Sequence, residues 1–210
     1  ETQKSYAAEG IPTYVELILG LPGETYQSFK DGLDRVLEVT DEACFVYVCS
    51  VLPNSEMNHP EYRQKHGLQT VVMKAMLTHG NPLPGIPEEE QEQVVGTATM
   101  PHEDWKRAYM LSWTVQVCHG MGLLRWWAKR QREEEGVPFT SFYRGVASTL
   151  TKYVSDGVFA KAYNHALGLL DQALTGGVIV TSKSLGTVSS GTATPDPGDR
   201  PLQHYTNGGA

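Results

Sequence analysis

Over the first fifty residues the apolar positions change period twice. Thr13–Leu19 is a nearly unbroken run of β-branched and aliphatic side chains, which predicts a buried strand. Gly20-Leu21-Pro22-Gly23 punctuates the chain as a turn. Beyond it Phe29, Leu33, Val36 and Leu37 recur at helical spacing, predicting an amphipathic helix over Thr25–Val39. Thr25 is a suitable cap, and Glu24 sits near the positive end of the helix dipole. Ala43–Leu52 returns to strand texture and stops at Pro53-Asn54-Ser55. Strand, helix and strand with short connections predict a right-handed βαβ crossover between parallel strands. Upstream, Ser5–Gly10 reads as the end of a helix, with Gly10 as its stop and Pro12 just beyond.

The texture then changes. Glu61–His66 predicts a short helix ending at Gly67. Val71–Leu77 and Gln93–Thr99 predict two strands flanking the proline-rich loop Asn81–Pro87 and the acidic run Glu88–Glu90, a hairpin-like extension. His102–Arg132 opens with Glu103 and Asp104 and closes with Lys129, Arg130 and Arg132, the charge order that a helix dipole favours. Gly120 and Gly122 are expected to bend or break it. Phe139–Lys152 and Asp156–Leu174 predict two further helices, the last stopping at Gly176-Gly177. From Ser182 the chain is rich in Thr, Ser, Gly and Pro, a composition expected to stay disordered. The divisions are thus 1–56, 57–101, 102–176 and a tail over 177–210.

Charge narrows the function. Seventeen Lys+Arg against twenty-four Asp+Glu give a net charge of −7, which argues against a protein that grips nucleic-acid backbones. No apolar run approaches a membrane span; the densest, around Leu123–Trp127, is interrupted by Arg125. No secretory signal is visible, and three cysteines form no paired framework, so a reducing cytoplasm is the expected location. Cys44 and Cys49 lie five apart on one predicted strand, pointing to opposite faces, so they cannot share a metal. Cys118 reads as a small buried hydrophobe. The histidines show no helical i, i+4 pair and no zinc spacing, and His119 reads as a satisfied buried histidine. Trp105, Trp113, Trp126 and Trp127 make no clean stripe, and core packing, with one ring near a substrate cavity at most, is expected of them. Glu133–Glu135 is a solvated charge run.

Strand alternation singles out one residue. Val15, Leu17 and Leu19 share a face suited to covering helices, while Tyr14, Glu16 and Ile18 share the other. A carboxylate on the inner face of a parallel sheet is costly without hydrogen bonds, so Glu16 is a candidate for function. A glutamate paired with a Lys or Arg elsewhere fits the same pattern. The following turn leaves the strand at its C-terminal end, where β/α barrels hold ligands, and its glycines permit close approach to the backbone. It lacks the Gly-Lys-Ser/Thr ending of a phosphate-binding P-loop.

Glu16-Leu-Ile-Leu-Gly-Leu-Pro-Gly-Glu-Thr25 resembles the fifth-strand segment of radical S-adenosylmethionine (SAM) proteins, in particular the class with an N-terminal cobalamin-binding domain. The likeness continues through Leu52-Pro-Asn-Ser-Glu-Met57 and Pro60-Glu-Tyr-Arg63. It extends more weakly to Ala98-Thr-Met-Pro101, Asp104-Trp105, His119-Gly-Met-Gly-Leu123 and Phe142-Tyr143. The resemblance implies an α/β fold: the last two strands of a partial β/α (TIM-like) barrel, followed by the hairpin-like extension and a helical C-terminal region. It also implies that Glu16 faces the ribose hydroxyls of SAM, that the backbone near Ile18 and Gly20 faces the adenine, and that Ser50 and Leu52 complete the cofactor wall. The family's [4Fe–4S] cluster is held by a Cys-x3-Cys-x2-Cys loop, and this sequence contains none. The chain therefore reads as a C-terminal part of a longer enzyme whose cluster and cobalamin ligands lie elsewhere, inert by itself. Its substrate, a small molecule or a peptide, is not encoded legibly. The alternative is a partner-binding module kept from half a barrel.

Overall fold

The computed structural model describes residues 5–6, 8–11, 13–40, 44–74, 90–176 and 179–180. The expected loop Asn81–Pro87, the strand end at Leu77 and the tail from Ser182 lie outside them. The expected βαβ unit is present. Strand β1 (Val15–Leu19) pairs in parallel with β2 (Cys44–Val48), and helix α1 (Tyr26–Val39) connects them. Thr25 caps α1 in a reciprocal box: Ser28 N–H donates to Thr25 Oγ1 at 3.0 Å, and Thr25 N–H donates to Ser28 Oγ at 2.9 Å. Phe29, Leu33 and Leu37 form its buried stripe. Upstream, helical turns at Ser5–Tyr6 end at Gly10, whose φ of +71° stops them.

Strand β2 is shorter than the sequence predicts, for a definite reason. After Val48 its backbone exchanges one neighbour for another. Cys49 N–H donates to Leu19 O, the last bond to β1, and Cys49 O accepts from Val94 N–H. Val51 N–H then donates to Glu92 O, and Ser50 bridges to Gln93. Cys49–Val51 therefore joins the parallel pair to a second, antiparallel sheet.

That sheet is the expected hairpin, shifted towards the N-terminus: β3 (Gln69–Lys74) against β4 (Glu90–Gly96). Its third strand, β5 (Ile179–Val180), pairs with β3 at Thr70 and Val71, so two residues assigned to the tail belong to the sheet. Before β3 come a 3-10 turn (Glu56–Asn58) and helix α2 (Pro60–His66), which Gly67 ends in the left-handed conformation. The hairpin is pinned by a buried ion pair. Arg63 on α2 donates to both carboxylate oxygens of Glu92 on β4, at 2.6 and 2.7 Å, while Asn58 and Thr70 complete the hydrogen bonding.

The predicted long helix is two. Helix α3 (His102–Val115) runs into a π-helical turn (Gln116–Gly120), and the chain restarts as α4 (Arg125–Glu135). Gly122, at φ +80°, makes the break. Helices α5 (Phe139–Tyr153) and α6 (Val158–Gly176) follow. The core lies between the parallel pair and this helical layer, where Leu19, Phe29, Leu33, Trp105, Ala108, Leu111, Cys118 and Tyr143 pack together. The result is a mixed α/β fold. Among the described residues no helix is long and apolar enough to cross a membrane.

Candidate functional site

Helices α1 and α3 cover one face of the parallel pair. Val15, Leu17, Val46 and Val48 are partly or largely withdrawn from water on that side. The opposite face is open. Tyr14, Glu16, Ile18 and Phe45 are all exposed on it, Ile18 to 48% and Phe45 to 41%. Parallel strands are ordinarily buried on both faces, so an open apolar strip on such a pair is a surface that ligand or protein is expected to cover. The register Glu16↔Phe45 and Ile18↔Tyr47 sets these residues side by side. Tyr14 and Phe45 meet edge to face, with centroids 5.8 Å apart at 85°.

Glu16 stands on the face that alternation assigned to it, but it is exposed, so the cost of burying a bare carboxylate does not arise. Tyr47 lies diagonally across the strand pair from it, on the same face, opposite Ile18 in the register. Desolvation, followed by the charge of Glu16, raises the pKa of Tyr47 above the ordinary tyrosine value. Ile18 shares the open strip. Gly20 is buried, with φ +98°, and the direction a Cβ would take is filled by Trp105, whose Nε1 would lie at 3.3 Å. The glycine thus serves the close approach of an indole there. Gly23, at φ +90° with nothing within 4 Å, is the turn glycine with open space beside it.

Ser50 and Leu52 lie past the end of β2, in the joining segment. Ser50 is half-buried and Leu52 is 63% exposed. Their numbering parity matches Val46 and Val48, whereas the residues that share Glu16's face are Phe45 and Tyr47. The alternation applied to β1 identifies those two when applied to β2.

Glu24 sits at the turn, just ahead of the helix cap, and burial raises its pKa above the usual carboxylate value. Its Oε2 and Trp105 Nε1 are both buried and unpartnered among the described residues. His119 is fully buried with Nδ1 2.8 Å from the Tyr143 hydroxyl, as its sequence setting predicts. The tryptophans divide: Trp105 is buried and Trp113 packs against the core, but Trp126 and Trp127 are 77% and 61% exposed on α4. The break before α4 turns these two rings outward, together with Met121 and Leu123. A separate cavity of about 670 Å³ opens between α3, α5 and α6, on the covered side of the sheet. Two of its cations are already held, Lys106 by Asp171 and Arg107 by Asp104.

The cysteines do not fit a cluster. Cys44 and Cys118 belong to the main core, while Cys49 packs with Val51 and Val94 in a smaller one. All three are buried free thiols, and burial pushes Cys44 and Cys118 up to about 11, away from the thiolate that binds iron. Among the described residues no three His, Cys, Asp or Glu side chains are grouped to hold a metal.

No protein-family model matches the chain. Curated relatives do. The cobalamin-dependent radical SAM methyltransferase TokK of Streptomyces tokunonensis is 38% identical over 153 residues, 71% of this chain and 22% of that protein. This chain is a relative of the cobalamin-dependent radical SAM methyltransferases. The 2-(S-pantetheinyl)-carbapenam-3-carboxylate methyltransferase of Streptantibioticus cattleyicolor is 35% identical over 145 residues, 67% of this chain and 21% of that enzyme. The chain thus spans about a fifth of the length of these relatives. The kinship implied by Glu16–Thr25 holds well beyond that motif.

Proposed function

We propose that this chain supplies the nucleoside-facing wall of an S-adenosylmethionine site, and the region that covers the substrate, within a longer radical SAM enzyme that transfers methyl groups with cobalamin. The observation that carries the proposal is the open face of the β1–β2 pair. It bears a carboxylate, Glu16, near the start of a parallel strand, amid apolar side chains that continue along the same face to Ile18 beside the strand's C-terminal end. Among the described residues β1 pairs with β2 alone, which leaves its other edge for the remaining strands of a partial barrel. The bound groups supply reductive cleavage of S-adenosylmethionine at a [4Fe–4S] cluster and methyl carriage by cobalamin. This chain's own residues bind and orient: Glu16 accepts ribose hydroxyls, and Ile18 and Phe45 offer apolar surface to the nucleoside. The turn at Gly23 leaves backbone accessible, and the hairpin joined to β2 through Cys49–Val51 extends the wall on the far side from β1.

Replacing Glu16 tests this reading. In the intact protein that contains this chain, Glu16→Ala should weaken S-adenosylmethionine binding about tenfold or more, the loss of charge-assisted hydrogen bonds. Calorimetric titration measures it, and unchanged affinity would remove Glu16 from the site.

A further inference from the structure

The helical layer encloses a concavity that the nucleoside wall does not use. It holds about 670 Å³ between α3, α5 and α6, within the range of small-molecule pockets, roughly 300–1,000 Å³. On α3 it takes Lys106, Met110 and Thr114, one stripe at helical spacing. Trp105 and Ala108 lie on another stripe and belong to the core with Leu19 of β1. Helix α3 therefore stands between the cavity and the strands, and a molecule bound here is walled off from Glu16.

The charge of the cavity runs against that of the chain. The whole protein carries −7, yet the lining holds three cations, Lys106, Arg107 and Arg144, against one carboxylate, Glu103. Lys106 and Arg107 are held by Asp171 and Asp104, and Arg107 also lies over the Tyr26 ring, 4.3 Å from its centroid. Arg144 is exposed and has no carboxylate partner among the described residues. Beside it on α5 stands Gly145. A helix interior disfavours glycine against alanine, so glycine there calls for a reason. Its neighbours supply none, because a Cβ would meet nothing within 4 Å. Both residues line the cavity, so bare backbone and an unpaired guanidinium adjoin in one wall.

We infer that this cavity is a second binding site, one that takes a small amphipathic anion. Arg144 receives the carboxylate or phosphate head, Met110 and Leu167 offer apolar surface to the body, and Gly145 leaves room for it against α5. The site stands apart from the nucleoside wall and does not rest on it.

Calorimetric titration of the intact protein tests the site. Hexanoate and hexyl phosphate serve as anionic probes, hexanol as the uncharged body and inorganic phosphate as the bare head. At least one of the two anionic probes should bind about tenfold or more tightly than hexanol or inorganic phosphate, and Arg144→Gln should remove that advantage. Gly145→Ala should raise the unfolding temperature of the unliganded protein, as alanine does in a helix, and yet weaken the anionic probe about tenfold. A glycine with no ligand beside it would give the first effect without the second. Saturating S-adenosylhomocysteine should leave the affinity of the anionic probe unchanged. Binding of neither anionic probe, equal binding of hexanol, or parent-like binding in Arg144→Gln or Gly145→Ala would each overturn the inference. Competition with S-adenosylhomocysteine would place the anion at the wall and overturn it too.

Discussion

Arg63 shows what a single side chain can commit a fold to. It is 3% exposed, and a guanidinium withdrawn from water is tolerated only when its donors are matched. Glu92 matches them in the bidentate fork, Asn58 adds an acceptor, and Thr70 donates to the carboxylate at 2.5 Å. Removing one partner strands the other charge. Glu92→Ala should therefore cost about 3–5 kcal/mol of stability in urea unfolding, and the pair Arg63→Met with Glu92→Leu should cost much less. Nothing in the sequence announces this pair, because its members lie twenty-nine residues apart across a turn and a strand. Cys118 and His119, by contrast, are legible from their apolar surroundings. Glu16 falls between: alternation gives its face, but whether that face is wet depends on what covers it.

At the scale of elements, periodicity and capping residues predict α1, α5 and the strand–helix–strand unit to within a few residues. What the sequence does not show is where one element serves another. Helix α5 begins after Pro138, which offers no capping side chain. The cap comes instead from Asp34 in the middle of α1, whose carboxylate accepts Thr140 N–H at 2.8 Å and Thr140 Oγ1 at 2.7 Å. Asp34 thus satisfies an orphan donor of a distant helix and places negative charge at its positive end. Asp34→Ala should cost about 1–2 kcal/mol, in line with the loss of a side-chain cap. Thermal unfolding checks it, and Asp34→Asn should retain part of the difference. The helix restart at Arg125 is hidden for a related reason. The sequence shows two glycines but not that Leu124 N–H turns back to Cys118 O at 2.8 Å. That reversal sends Trp126 and Trp127 outward.

For the whole molecule, the notable fact is what is left uncovered. The open strip on β1 and β2, the outer edge of β1 and the exposed Trp126–Trp127 face are surfaces a stable monomer rarely leaves bare. The strip and edge are where the proposed barrel would continue. Produced alone, this chain should therefore associate, and Phe45→Lys combined with Ile18→Lys should reduce its light-scattering mass towards one copy. An unchanged mass would put the sticky surface elsewhere, with the α4 tryptophans as the next to replace. Fold class and kinship were legible from the first strand and its turn, whereas the shape of the uncovered surface emerges only when every element is in place. One feature of that shape has a mechanical consequence. Cys49 is stitched on one side to Leu19 of the parallel pair and on the other to Val94 of the hairpin. A residue held from both flanks acts as a rivet: hairpin and wall tilt as a single plank, and the hairpin cannot swing aside as a door.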